Sequence, residues 1–215
     1  MENTTQTAPQ PSADDTAAWL RLVKRSLRGM MNGPVSASMR EKGLAYKVIF
    51  GVELPRLQRF AEELPHTYAL AAALWREDIR ECRLLAGLVQ PVESFLPDIA
   101  DIWVESMRYP EEAQYTVMSL FCRLPYASDK AFAWIADERP MFQLCGFLIL
   151  SRLFMKGNAL MKQSENEYLD QAQAALRHPN PHIRKAAYDS LLKYSQTGDE
   201  PEALVDKILT AFEKG

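Results

Sequence analysis

From Leu54 to the C-terminus one pattern recurs: apolar residues at three- and four-residue spacing, interrupted at intervals by proline. Strand-like alternation bounded by turns is absent, so every element there reads as a helix. The pattern predicts helices near 54–64, 66–75, 77–89, 92–107, 110–124, 128–138, 140–156, 165–177, 180–195 and 200–214. Pro91, Pro110, Pro125, Pro140, Pro179 and Pro201 fall at or beside these boundaries, where a residue lacking a backbone donor disturbs a helix least. Upstream, a first helix is predicted from about Thr16 to Leu27, with Asp15 or Thr16 at its start and Trp19, Leu20, Val23 and Leu27 on one stripe. Between it and Leu54, the residues Gly29, Gly33, Pro34, Gly43 and Gly51 break any long helix, leaving the least regular part of the chain. Residues 1–15 are polar and lack apolar periodicity; they are expected to form a disordered arm.

The predicted helices come in pairs. Second members begin near 77, 110, 141 and 181, a period of roughly 31 to 40 residues. A helical hairpin of that size cannot bury its apolar face alone, so it stacks on its neighbours. The expected fold is all-α, an α-α superhelix of HEAT-like repeats forming a single domain over 16–215. Two second helices echo each other: "DIRECRLLAGLV" (78–89) and "HIRKAAYDSLL" (182–192) both open on an Ile-Arg pair. On a helical wheel Ile79, Cys82, Leu85, Ala86 and Val89 share a broad face, while Arg80, Arg83 and Gly87 occupy a narrow separate one. Arg80 and Arg184 can therefore bridge to an acid of the adjoining repeat, as in HEAT-type proteins, or face a ligand together with Arg83 and Lys185.

The formal net charge is −3, but it is unevenly spread. Residues 17–59 hold nine basic and two acidic side chains, whereas residues 60–215 sum to −7. A basic end on an acidic body points to one positive surface, or to no more than a solvated basic face. The three cysteines, Cys82, Cys122 and Cys145, lie far apart within apolar patterns and form no metal-ligand spacing, so they read as buried free thiols in a reducing compartment. With no apolar run of membrane-spanning length, a cytoplasmic protein that avoids membranes and binds no cofactor or metal is expected. His178 and His182 straddle Pro179 and Pro181, which breaks the i,i+4 geometry of a helical metal site. "GMMNG" (29–33) has no strand before it and no Lys-Ser/Thr after it, unlike a phosphate loop. Trp75 and Trp103 each precede a second helix; they serve either the core or a groove.

The segment "YKVIFGVELPRLQRFAEEL…LAAALWREDIRECRLLAGLV" (46–89) resembles the HEAT-like repeat DNA alkylation repair enzymes, glycosylases that remove alkylated purines. The matching features are an aromatic shortly before Gly51-Val52, then "LPRLQRFA", "LA…LW" and "RE.RLLA". The resemblance implies that second helices present a concave basic surface holding duplex DNA by its phosphates. It also implies a carboxylate that supports the glycosidic bond beside aromatic rings. The family's Trp-Asp-x-x-Asp motif falls on "PEEAQ" (110–114), so the tryptophan becomes Pro110, the first acid Glu111 and the catalytic aspartate Gln114. The later aromatic falls on Asp189, with Tyr188 beside it, and "MFQLCGF" (141–147) lacks the family's paired arginine. A neutral amide cannot stabilise an oxocarbenium-like state as a carboxylate does. Gln114 holds the position by register, and Glu111, Glu112 or Asp189 could supply the carboxylate if the register slips.

Three functions follow: a DNA-binding relative that engages duplex backbone through the cations of 21–59 and of second helices, a non-catalytic solenoid that binds a protein or peptide, and a glycosylase with a relocated acid. A surface lined by Arg80, Arg83, Arg184 and Lys185 would favour DNA, whereas one lined by apolar and acidic residues would favour protein.

Overall fold

The computed structural model describes residue 12 and residues 15–157, 160 and 162–214. The expected arm over 1–15 falls almost wholly outside the described residues. Among them all regular structure is helical, and the one β-type pairing is an isolated parallel bridge between Val48 and Ile79. The chain divides after Pro91 into two compact units.

The first unit holds α1 (Thr16–Gly29), α2 (Gly33–Glu41), α3 (Leu54–Glu62), α4 (Tyr68–Trp75) and α5 (Arg80–Val89). Asp15 caps α1 by accepting the Ala18 N–H, and Trp19, Val23 and Leu27 bury the predicted stripe. α2 was not expected. Asn32 caps it, accepting the Val35 N–H at 3.3 Å, and Pro34 sits in its first turn, so residues read as breakers serve as start signals. α4 (YALAAALW) is apolar on all sides and packs on α1 and α5, while α3 also packs on α5. α5 is the centre of this unit: every residue of it except Leu88 is buried.

The second unit holds α6 (Pro97–Glu105), α7 (Pro110–Ser119), α8 (Ala127–Ile135), α9 (Pro140–Met155), α10 (Lys162–Ala175), α11 (Pro181–Ser195) and α12 (Asp199–Lys214). Proline opens α6, α7, α9 and α11 at the first helical position, where its missing N–H would have had no intrahelical partner. The second helices α7, α9 and α11 lie side by side; α8 backs α9, α10 backs α11, and α12 closes on α11. Edge-to-face and tilted rings join the layers. Trp134 meets Phe121 at 5.4 Å and Phe142 at 5.9 Å between ring centroids, and Phe154, Tyr168 and Tyr194 form a second cluster at 5.0–5.3 Å. Where α8 and α9 cross most closely, a Cβ on Gly146 would stand 2.7 Å from Ile135 Cγ2 and 2.9 Å from the Ala131 carbonyl oxygen. Gly146→Ala is therefore expected to destabilise the chain by about 1–3 kcal/mol through overpacking, read as a lower urea midpoint with unchanged helical content. A midpoint equal to that of the parent would show that the crossing can widen.

Candidate nucleic-acid interface

Aligned by their first helical residues, three of the four second helices, α5, α9 and α11, carry a repeated device that composition hides. Arg83, Gln143 and Arg184 each occupy the fourth position of their helix, and each donates to a carbonyl that ends the first helix or the turn of its own hairpin. Arg83 Nη1 reaches Trp75 O at 3.1 Å, Gln143 Nε2 reaches Asp137 O at 2.7 Å, and Arg184 Nη1 reaches His178 O at 2.7 Å and Pro179 O at 2.9 Å. A cation or amide placed there satisfies carbonyls left over at a helix C-terminus and complements its dipole. In register Arg83, not Arg80, is thus the counterpart of Arg184, and both donate to carbonyls of their own hairpin.

The expected narrow polar face of α5 does not reach solvent. Arg80 is 3 % and Arg83 8 % exposed. Arg80 Nη1 donates to Val52 O and to Glu81, both at 3.2 Å, and the Arg83 guanidinium lies 4.2 Å above the Trp75 ring. Of the two roles left open for Arg80, Arg83 and Trp75, the structure shows the buried one, not a surface facing a ligand. Glu81, which the sequence reading left unassigned, is fully buried, and its two carboxylate oxygens accept the N–H groups of Phe50, Gly51 and Val52 at 2.9–3.2 Å. Three successive amides aimed at one carboxylate hold the segment between α2 and α3 against the start of α5, beside the Val48–Ile79 bridge. Gly51, at φ +75°, takes the left-handed backbone this clasp requires.

On α7 the three catalytic candidates, Glu111, Glu112 and Gln114, separate. Glu112 is fully buried and its Oε2 accepts the backbone N–H of Arg108 at 2.6 Å and of Tyr109 at 3.4 Å, so it caps the helix start and is closed to any substrate. Glu111 is half-buried, and Gln114 is exposed on the next turn. Trp103 is 4 % exposed and packs edge-on against Phe95 at 4.9 Å, so of core and groove it takes the core. On α11, Tyr188 and Lys185 are exposed, and the Lys185 ammonium pairs with Asp189 at 2.8 Å. Burial pushes the Cys82 and Cys145 thiols far up from their ordinary range, so neither is a nucleophile at neutral pH. Among the described residues no three His, Cys, Asp or Glu side chains gather as a metal site, and no helix is long and apolar enough to cross a membrane.

The basic segment lies at the surface. Of its nine cations, Arg21, Arg25, Arg28, Arg40, Lys42, Lys47, Arg56 and Arg59 are exposed, and Lys24 pairs with Glu77 at 2.6 Å. Arg21, Arg25 and Arg28 follow i, i+4, i+7 spacing on the side of α1 opposite Trp19, Val23 and Leu27, a cationic stripe about 10 Å long. Arg56 and Arg59 repeat the arrangement at i, i+3 on α3.

A family model described as DNA alkylation repair enzyme matches residues 23–205. No curated protein matches the chain in sequence. A solved structure, described as belonging to a new family of proteins related to the HEAT-like repeat DNA glycosylases with affinity for branched DNA structures, superposes with a TM-score of 0.78. The superposition covers 87 % of this chain and 80 % of that one, at 16 % identity, and places the fold among HEAT-like repeats.

Proposed function

The chain belongs to the DNA alkylation repair enzyme family, and from that membership we propose that it binds DNA through the cations of its first unit and lacks carboxylate-assisted base excision. The observation that carries the reading is the exposure of eight cations over 21–59 against two exposed carboxylates, Glu41 and Glu53, in a chain of net charge −3. Cations presented on one helical stripe neutralise neighbouring phosphates and release their counterions. The affinity for branched DNA described for the structural neighbour extends the expected ligands from linear duplex to junctions, where more backbone converges on one surface.

Fluorescence anisotropy with a linear duplex and a four-way junction tests this between 50 and 200 mM salt. Affinity should fall steeply, with a log–log slope of about −0.9 per phosphate contacted. A flat response would remove the proposal.

The same reading holds that Gln114 ends the family's chemistry. Loss of one preorganised electrostatic group costs about 10²–10³ in rate. Glu112 cannot substitute, because its carboxylate is buried against the amides of Arg108 and Tyr109. Release of methylated purine from alkylated DNA should stay at the uncatalysed rate, and Glu111→Gln should leave it there. Excision above background that vanishes in Glu111→Gln would establish a relocated acid instead.

A further inference from the structure

Between α9 and α11 runs a groove of about 410 Å³ that the DNA reading does not use. Leu148 and Met155 on α9, and Ala186 and Leu192 on α11, supply its apolar surface. Met155 is 58 % exposed, an unbranched side chain free to remodel around an incoming one. Leu148, Arg152 and Met155 stand at i, i+4 and i+7, and Asp189, Leu192 or Lys193, and the C-cap Gln196 repeat that spacing along α11. The two facing stripes are each about two helical turns long.

The charge of the groove is opposite to that of its surroundings. Residues 92–215 hold 13 basic and 18 acidic side chains, yet Arg152 and Lys193 both line this site. Its one carboxylate, Asp189, is already answered by Lys185 at 2.8 Å. Among the described residues neither Arg152 nor Lys193 pairs with an acid; Lys193 Nζ reaches only the neutral Gln196 Oε1, at 3.3 Å. We propose that the α9–α11 groove docks an acidic amphipathic helix of a partner protein, its apolar stripe on Leu148, Met155 and Leu192 and its carboxylates on Arg152 and Lys193. The geometry is that of a helix laid in a groove, with apolar anchors for affinity and flanking charge for orientation. None of the lining residues is aromatic, so the site lacks the stacking platform that unpaired bases use. This inference stands independently of DNA binding by the first unit.

The test is selection of peptides of about 14 residues from a random display library on the full chain, followed by anisotropy with the enriched sequences. Enrichment of leucine-type residues at i, i+3/i+4, i+7 flanked by Asp and Glu is expected. Arg152→Glu should weaken these peptides at least tenfold, and peptides with Lys in place of the acids should regain affinity for that variant alone, a reversal that a folding defect cannot produce. Leu192→Asp should weaken both peptide sets, while junction binding by the first unit stays within twofold in each variant. No enrichment over the unselected library would overturn the proposal. So would equal affinity in Arg152→Glu, or displacement of the peptide by a junction oligonucleotide whose own binding is lost in that variant.

Discussion

Glu81→Ala should lower the stability of the chain by about 3–5 kcal/mol, a larger effect than any other single substitution considered in the first unit. Removing one partner of a buried ion pair has that magnitude because the remaining charge stays desolvated. Here the loss is compounded. The Arg80 guanidinium, 3 % exposed, would lose the Glu81 carboxylate, and the N–H groups of Phe50, Gly51 and Val52 would lose their acceptor together. An unmade buried hydrogen bond costs about 1–3 kcal/mol, and three such groups cannot all find water inside a packed unit. Glu81→Gln should recover only part of the loss, since an amide offers one acceptor oxygen where the carboxylate uses two. The measurement is a urea titration followed by circular dichroism, with exposed Glu53→Ala as a control expected within about 0.5 kcal/mol of the parent. A Glu81→Ala midpoint indistinguishable from that of Glu53→Ala would show that the segment over 44–53 is held by its apolar contacts alone.

This clasp also marks the limit of what the sequence disclosed. Apolar periodicity and proline located the paired helices: second members expected near 110, 141 and 181 begin at Pro110, Pro140 and Pro181, because proline at the first helical position is a local, chemically determined signal. The one expected near 77 begins at Arg80, where no proline marks the start and the preceding residues are drawn into the bridge with Val48. α2 escaped detection because Asn32-Gly33-Pro34 carries breaking and starting signals in the same three residues. The wheel failed on α5 for a different reason. It presumes that every helix has an outside, whereas α5 is enclosed on all sides and its charges are met by carbonyls and amides distant in sequence. The Ile-Arg echo aligned Arg80 with Arg184 by neighbouring residue; helix position aligns Arg83 with Arg184, and only coordinates count from the true start. Periodicity put Glu111, Glu112 and Gln114 on one helix, α7, but spacing alone could not reveal that Glu112 turns inward to cap it.

Neutralising the α1 stripe, Arg21→Gln, Arg25→Gln and Arg28→Gln together, should weaken DNA binding by several hundredfold at 0.1 M salt. With affinity varying as salt to the power of about −0.9 per phosphate contact, each contact contributes roughly eightfold at that concentration, and three contribute on the order of 500-fold. The salt slope should become shallower by about 2.7, a signature that a loss of folded protein would not give. Folding should be preserved, because the three side chains are exposed and lie opposite Trp19, Val23 and Leu27, and helical content by circular dichroism checks it. Lys24 is left in place because its ammonium is held by Glu77. The comparison that discriminates is Lys185→Gln, an equally exposed cation of the second unit whose charge is already paired with Asp189. If α1 carries the contacts, the triple variant loses binding and Lys185→Gln changes it less than threefold. Equal small losses in both would mean that the arginines of α1 are a solvated helical face, and that DNA is held elsewhere on the chain.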